Sequence, residues 1–100
     1  MGADLAPMEI EFDPEKDLRN RAKHGISLAM ATELDWGRLV SYPDTRHEYG
    51  EARFKGYGPI GLRLYCVIYT LRSTSIRIIS LRKANNRELL SHGQTDTTAH

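Results

Sequence analysis

The residues with the clearest chemical potential are two arginines in the C-terminal half of the chain. Arg77 lies between two isoleucines in a segment rich in strand-forming residues, and Arg82 lies where that segment ends. A guanidinium within an apolar strand is unusual, because unpaired charges are rarely buried. Arg77 is therefore predicted either to form a structural ion pair with an acid such as Glu51 or Glu88, or to bind an anion. Arg82 is predicted either to bind a ligand group where strand and helix meet, or to be a solvated charge.

A second candidate is the segment Glu51-Ala52-Arg53, which sets an acid and a base two residues apart. In a strand the two side chains would share one face, so that Glu51 accepts a proton while Arg53 binds a phosphate. The alternative is a cross-strand ion pair. His24 follows Lys23 at the predicted C-terminal end of a helix, where the helix dipole favours its charged form. It is either a proton donor or only a helix cap.

The basic residues are concentrated in one block of the chain. The whole sequence has 14 basic and 13 acidic residues and a formal net charge of +1. No acidic residue lies between Arg53 and Arg87, and this basic block is predicted to attract a polyanion. The block consists of Arg53, Lys55, Arg63, Arg72, Arg77, Arg82, Lys83 and Arg87. The tyrosines in and beside it suit stacking of unpaired bases, although tyrosines are also ordinary in a sheet: Tyr49, Tyr57, Tyr65 and Tyr69.

The size of the chain limits its organisation. One hundred residues form one small domain, and 40% hydrophobic with 27% charged residues is typical of a globular protein. We expect a single domain over residues 8–91, with flexible tails at 1–7 and 92–100. A core of this size is marginal, so a partner chain that adds buried surface would be unsurprising.

Several classes of protein are excluded by what the sequence lacks. Cys66 is the only cysteine, so an intrachain disulfide is impossible. The four histidines are scattered and there is no glycine-rich phosphate motif, so we expect neither a metal nor a cofactor. No apolar stretch reaches the roughly 20 residues of a membrane span, and the N-terminus does not match a signal peptide. The sequence therefore predicts a cytoplasmic protein.

Alternation and capping residues predict the elements that position these side chains. Met8–Phe12 alternates apolar and acidic residues, as in a strand with one exposed face. Asp13 and Pro14 suit the start of a helix that has Leu18 on its apolar side and ends before Gly25. The other predicted elements are a helix over 28–36, strands over 38–42, 53–58, 62–71 and 75–81, and a helix over 84–91.

Together the elements predict an α+β domain, in which an antiparallel β-sheet has its helices packed on one face. The segments 62–71 and 75–81 are apolar on both sides, so they are expected at the centre of the sheet. Simple alternation along the second of them places Arg77 on one face and Arg82 on the other.

Four segments carry more information in their order and spacing. They are Ile-Glu-Phe-Asp-Pro-Glu-Lys at 10–16, Asn20 with Lys-His-Gly at 23–25, Tyr-Gly-Glu-Ala-Arg at 49–53, and Arg-Ile-Ile-Ser-Leu-Arg-Lys-Ala at 77–84. Taken together they resemble the BrnT family of bacterial type II toxins, from about Met8 to Glu88. Two departures stand out. Phe12 occupies a position where many members have tryptophan, and Leu-Leu-Ser-His follows Glu88 where members often carry basic residues and a tyrosine.

The resemblance implies a fold, an activity and a partner. Members are similar to RelE and ParE toxins in fold and act as ribonucleases that arrest translation. Each is neutralised by a BrnA-type antitoxin, and the complex, expected to be a heterotetramer, represses its own operon. Contact with operator DNA is attributed to the antitoxin, so this chain would meet that DNA only indirectly.

The resemblance also carries functional residues over by position. They are Arg77 and Arg82 in the Arg-Ile-Ile-Ser-x-Arg motif, and Glu51 and Arg53 in the Gly-Glu-x-Arg motif. The Lys-His-Gly motif adds Lys23 and His24, which either act in the site or serve the structure. Further RNA contacts are predicted at Lys55, Lys83 and Tyr69.

The expected reaction is RNA cleavage without a metal. The 2′-OH must be aligned with the phosphate and lose a proton, and the charge that develops must be stabilised. Arg77 and Arg82 are assigned to the phosphate, Glu51 is the candidate base, and His24 or Tyr69 is the candidate acid. One alternative is a non-catalytic module that binds the antitoxin through the basic block. A DNA-binding regulator ranks last, because the predicted helices are acidic or short.

Overall fold

The computed structural model of the chain describes residues 8–92. Its elements, in chain order, are β1 (Glu9–Phe12), α1 (Pro14–His24), two 3₁₀ helices (Leu28–Glu33 and Trp36–Arg38), β2 (Val40–Pro43), β3 (Phe54–Ile60), β4 (Arg63–Leu71), β5 (Ser75–Lys83) and α2 (Asn86–Ser91). Residues 1–7 and 93–100 lie outside the described residues, so the predicted tails stay a prediction. None of the helices within residues 8–92 is long and apolar enough to cross a membrane.

Five strands form one sheet in the order β1-β5-β4-β3-β2. Strands β2 to β5 are an antiparallel meander, whereas β1 pairs with β5 in parallel. The predicted α+β domain with an antiparallel sheet is confirmed, and β4 and β5 are central as expected. The parallel pairing of the edge strand β1 with β5 was not predicted. Local sequence patterns do not encode it, because residues 9 and 75 meet only through the tertiary fold.

The main core lies on one face of the sheet, here called the core face. It buries apolar residues of the first 3₁₀ helix against the central strands, and its members are Leu28, Ala31, Leu34, Tyr65, Val67, Tyr69, Ile76, Ile78 and Leu81. The predicted helix over 28–36 is wrong in type, because Leu34 has an extended backbone (φ −63°, ψ 142°) that ends the first 3₁₀ helix. Leu34 is only 5% exposed, so its extended backbone places its side chain in the core instead of continuing the helix.

The helices do not all pack on one face. A second, smaller core contains Leu89 of α2 with Tyr57, Leu64 and Cys66, on the opposite side of the sheet. Those three residues alternate with core-face residues along β3 and β4, which identifies the opposite side. We call this side the open face, and its strand residues include Glu11, Lys55, Tyr57, Cys66, Thr70, Arg77 and Arg82. The arrangement corrects the expectation that the helices share one face.

Helix α1 is held against β5 by a polar contact and not by an apolar stripe. Its N-cap is Asp13, and Gly25 ends it with a left-handed φ of 73°, as predicted. Leu18 is 63% exposed, so its predicted inward position is wrong. The buried residue of the helix is Asn20, whose side chain donates to the carbonyl of Leu81 at 2.8 Å and accepts from its N–H at 3.1 Å. The side chain of Asn20 thus binds the backbone of β5 at Leu81, beyond Ile78, the last residue of β5 that pairs with β1.

Candidate functional site

A β-bulge decides where the two motif arginines point. In the β4–β5 register Arg82 lies opposite Cys66 and Arg77 lies opposite Thr70, with a register shift between them. The extra residue on β5 is Ile79, which leaves both arginines on the open face. The prediction that they project to opposite faces is therefore wrong, because one inserted residue reverses the alternation. At about 3.3 Å per residue along β4, the two positions are ~13 Å apart.

Arg77 forms an ion pair, although not with either acid predicted for it. Its Nε donates to Oε2 of Glu11 at 3.0 Å, across the parallel pairing of β1 and β5. The side chains of Arg77 and Glu11 are 31% and 42% exposed, so solvent reaches the pair. Within residues 8–92, the two terminal nitrogens of Arg77 have no hydrogen-bond partner. An oxyanion could therefore bind them without displacing Glu11.

The Gly-Glu-x-Arg motif precedes β3 and is held by ion pairs. Arg53 Nε donates to Glu51 Oε2 at 3.2 Å, and Arg72 approaches the other carboxylate oxygen at 3.5 Å. The guanidinium of Arg53 also lies 4.0 Å from the ring centre of Tyr49, a cation–π contact. Neither Glu51 nor Arg53 lies in a strand, so the predicted shared strand face is wrong. The loop brings the two side chains together instead.

Thr70 connects this motif to Arg77. The hydroxyl of Thr70 donates to the carbonyl of Ala52 at 2.6 Å, and Thr70 lies directly opposite Arg77 in the sheet. Thr70 is 4% exposed, so the hydrogen bond is protected from water. The structure thus brings Arg77 and the Glu51–Arg53 segment to the same end of the open face. This connection was missed from sequence, because one hydroxyl among many carries no pattern.

Arg82 is paired with a half-buried acid, Glu88, at the other end of the open face. Its two terminal nitrogens donate to the two oxygens of Glu88 at 2.8 and 2.9 Å, a bidentate pair. Tyr57 donates its hydroxyl to the same carboxylate at 2.8 Å, and Asn85 completes a capping box with Glu88 at the start of α2. The Arg82 guanidinium lowers the pKa of Glu88 to about 2. Burial and the bond to Glu88 raise the pKa of Tyr57.

The Lys-His-Gly motif lies at the end of α1, away from the Glu51–Arg53 segment. Burial, followed by the charges of Lys23 and Arg82, lowers the pKa of His24. The direction is opposite to the one expected from the helix dipole, because burial and the two neighbouring cations disfavour the charged form of His24. His24 is close enough to Arg82 for that charge to lower the pKa of His24, but within residues 8–92 no hydrogen bond joins the two side chains.

The other predicted RNA contacts are divided between the faces. Lys55 lies on the open face, opposite Ile68 in the β3–β4 register. Lys83 pairs with Tyr65 on the core-face side of β5 and is exposed at its end. Tyr69 is 4% exposed in the main core, where its hydroxyl meets Ser41 Oγ at 2.6 Å. Its position favours a structural role over contact with RNA or proton donation.

Two of the cavities formed by residues 8–92, with volumes of about 350 and 390 Å³, are considered as candidate binding sites. One is formed by the loop from Pro43 to Phe54 and contains Glu51 and Arg53 in its lining. Its volume is about 350 Å³, within the range of small-ligand sites. The other lies between β2, β3 and the end of α2. Within residues 8–92, no group of three or more His, Cys, Asp or Glu side chains is placed to hold a metal ion.

Comparison with known proteins gives this site a context. Residues 12–88 match the model of a family described as the ribonuclease toxin, BrnT, of type II toxin–antitoxin systems. The comparison with curated proteins found no match. The match covers most of the chain and includes both arginine motifs, so the chain belongs to the BrnT family of ribonuclease toxins. It is accordingly a toxin of a type II toxin–antitoxin system, with an antitoxin as its partner.

Proposed function

We propose that this chain is a metal-independent endoribonuclease, whose reaction takes place at the end of the open face that holds Arg77. The observation that carries the proposal is the position of Arg77. Within residues 8–92 its terminal nitrogens have no hydrogen-bond partner, and its neighbour across the sheet, Thr70, binds the backbone of Ala52 in the Glu51–Arg53 segment. An anion-binding group and a carboxylate next to each other are what cleavage through a 2′-OH requires.

In this mechanism Arg77 binds the scissile phosphate through its terminal nitrogens. Glu51 takes the proton from the 2′-OH, and the resulting 2′-oxygen attacks phosphorus in line with the 5′-oxygen, which leaves. Arg53 and Arg77 stabilise the added negative charge on the phosphorane. The products are a 2′,3′-cyclic phosphate and a 5′-hydroxyl. The leaving 5′-oxygen takes its proton from solvent, because Tyr69 is buried in the core and the lowered pKa of His24 favours its neutral form.

The remaining cations extend the surface for RNA. Lys55 shares the open face with Arg77 and suits a neighbouring phosphate. Arg82 is held by Glu88 and serves mainly to anchor α2, where an RNA phosphate would compete with the carboxylate. Lys23 and Lys83 lie beyond the open face and contribute long-range attraction.

The proposed partner is a BrnA-like antitoxin, which would form a heterotetramer with this chain in the cytoplasm. The antitoxin would contact the operator DNA, and its toxin-bound form would repress the operon. An antitoxin that covers the open face would exclude RNA from the same cations. Electrostatic complementarity favours an acidic segment at this contact.

A second candidate function is supported by the ion pairs themselves. Glu51 lies between Arg53 and Arg72, and Arg82 is paired with Glu88, so much of the local charge is already neutralised. A chain that has become a non-catalytic antitoxin-binding module would show the same pairs. It would bind the antitoxin tightly and leave RNA intact.

Cleavage of a defined single-stranded RNA in EDTA separates the two functions. We expect the wild-type chain to cleave, Arg77→Ala and Glu51→Gln to lose at least about a hundredfold in rate, and Arg77→Lys to recover part of it. The matched control is Arg19→Ala, which removes an exposed arginine of α1 and should leave the rate unchanged. A metal requirement, or full activity of Arg77→Ala, would contradict the mechanism.

A further inference from the structure

The second cavity has the features of a binding site that the reaction at Arg77 does not use. It lies on the open-face side between β2, β3 and the end of α2, and its volume is about 390 Å³. That volume lies within the roughly 300–1,000 Å³ typical of small-ligand sites. Aromatic and charged side chains line it, and those used below are Tyr42, Asp44, Arg46, Lys55, Tyr57 and His92.

Three aromatic rings are packed against one another in this cavity. The rings of Tyr57 and His92 lie 4.2 Å apart between centres. The ring of Tyr42 lies edge-on to each of them, at interplanar angles of 66° and 67°. The Tyr42 hydroxyl and His92 Nε2 are 3.3 Å apart. Tyr57 is 7% exposed whereas Tyr42 is 47% exposed. The buried ring of Tyr57 and the half-buried ring of His92 therefore support the exposed ring of Tyr42, which can accept a flat partner.

Among residues 8–92, the charged side chains of the cavity leave the ammonium group of Lys55 available. Asp44 is almost fully buried and binds Arg46 through two hydrogen bonds of 2.7 and 2.9 Å, so this pair neutralises itself. Within residues 8–92, Lys55 has no ion pair or hydrogen bond through its ammonium group. Lys55 lies directly opposite Tyr42 in the β2–β3 register. An exposed aromatic ring and an available ammonium group are therefore next to each other on one face.

We propose that this cavity binds one unpaired nucleobase of the RNA, stacked on Tyr42, with the adjacent phosphate on Lys55. The inference rests on the proposed ribonuclease function and adds to it a subsite that selects where the strand is cut. Base stacking on an aromatic ring beside a phosphate contact is the usual way in which single strands are held. Lys55 is two strands from Arg77, about 10 Å across the sheet and ~7 Å along it, which suits a nucleotide near the scissile phosphate.

The test is binding of single nucleotides to the full chain, followed by backbone amide chemical shifts. The four nucleoside 5′-monophosphates are titrated separately, with ribose 5-phosphate as the control that lacks a base. We expect the nucleotides to shift amides around Tyr42, Tyr57 and His92, and ribose 5-phosphate to bind more weakly. Because no RNA is cleaved in this assay, its result does not depend on the ribonuclease activity.

Variants of Tyr42 decide whether its ring is the stacking surface. Tyr42→Ala should weaken nucleotide binding about tenfold, whereas Tyr42→Phe keeps the ring and should retain most of the affinity. Leu62→Ala, in the exposed turn between β3 and β4, should leave binding unchanged. Unchanged binding by Tyr42→Ala, or equal binding of ribose 5-phosphate, would overturn the subsite. The subsite would also be overturned if the amide chemical shifts of the cavity changed on addition of the antitoxin but on addition of none of the four nucleotides.

The subsite and the ribonuclease function can fail separately. Nucleotide binding in the cavity by a chain that leaves RNA intact would support the subsite and contradict the ribonuclease function. Cleavage of RNA without any cavity shifts would support the function and overturn the subsite. When both hold, Tyr42→Ala should change the preferred cleavage positions in a mixed-sequence RNA while cleavage itself continues.

Discussion

Arg77 and Arg82 lie on the same face of β5, although five positions separate them along the chain. A regular strand would place them on opposite faces, and the bulge at Ile79 reverses that outcome. Arg77 thereby joins Glu11, Thr70 and the motif loop, while Arg82 holds α2 through Glu88. The two arginines of one sequence motif therefore have different roles. Within residues 8–92 the terminal nitrogens of Arg77 have no hydrogen-bond partner, whereas those of Arg82 bind Glu88 of α2.

The link through Thr70 predicts an effect on rate with little effect on folding. Thr70→Val keeps the shape of the side chain and removes the hydroxyl that binds the carbonyl of Ala52. We expect the cleavage rate to fall about tenfold, because the Glu51–Arg53 segment loses its anchor beside Arg77. Single-turnover cleavage measures this. Thr32→Val is the matched control, since it removes a hydroxyl bound to a backbone carbonyl in a 3₁₀ helix. Equal rates for wild type and Thr70→Val would contradict the link.

Asn20 predicts an effect on stability. Asn20→Ala removes two hydrogen bonds to the backbone of Leu81 and one to the carbonyl of Ile26, and leaves those groups without a partner. The free energy of unfolding should fall by about 3 kcal/mol, as expected when buried polar groups lose their bonds. Urea unfolding measures the change. The exposed Asn86→Ala should stay within about 0.5 kcal/mol of wild type. If Asn20→Ala lowered the free energy of unfolding as little as Asn86→Ala, Asn20 would not anchor α1 to β5.

The Arg82–Glu88 pair predicts a dependence of stability on pH. The pKa of Glu88 in the folded chain is lowered to about 2, below its ordinary value of 4.5. Its stabilising contribution is therefore complete above about pH 4.5 and is lost as the pH falls towards 2. Glu88→Gln should be about 3 kcal/mol less stable than wild type at pH 6, from a lowering of about 2.5 pKa units at 1.36 kcal/mol per unit.

The quantity to follow is the difference in free energy of unfolding between wild type and Glu88→Gln. It should shrink steadily between pH 4.5 and pH 2.5, because the carboxyl of the wild type becomes neutral there. Asp44, whose pKa is also lowered to about 2 by Arg46, is present in both proteins and cancels from the comparison. A difference that stays constant through this range would show that Glu88 does not stabilise the fold through its charge.

The close approach of Leu39 to β3 predicts a coupled pair of substitutions. A Cβ added at Gly58 would lie 2.7 Å from Leu39 Cδ1, too close for undisturbed packing. Gly58→Ala should therefore lower the free energy of unfolding by about 1–3 kcal/mol. The same substitution at Gly37 meets nothing nearer than 3.5 Å and is the control. In combination with Leu39→Ala, Gly58→Ala should cost less than it does alone, and strict additivity would argue against the clash.

Local patterns were sufficient to predict the class of fold. Capping residues located α1 between Asp13 and Gly25, and apolar runs located β4 and β5. Each of these features depends on residues close together in the chain. The connection between the predicted strands 53–58 and 62–71 is shorter in the structure, because Pro59 still pairs with Leu64 in β3 and Gly61, with a φ of 60°, makes the turn.

The candidate site depended on features that local patterns do not contain. Glu11 became the partner of Arg77 only because β1 joins β5 in parallel, across 66 positions of sequence. The bulge at Ile79 changed the face of one motif arginine, and no residue type there marks a bulge in advance. Tyr42 and His92 meet through the edge strand and the end of α2. The family resemblance was thus confirmed, whereas the geometry of the motif residues came from tertiary structure.

The most direct test of the proposed function is cleavage of an RNA in which a single 2′-OH, at the cleaved position, is replaced by hydrogen. The reaction is run with the wild-type chain in EDTA, and the ends of the products are analysed. We predict that the unmodified RNA yields a 2′,3′-cyclic phosphate and a 5′-hydroxyl, and that the modified RNA is not cut at that position. Continued cleavage at the 2′-deoxy position, with a 5′-phosphate on the product, would contradict attack by the 2′-oxygen.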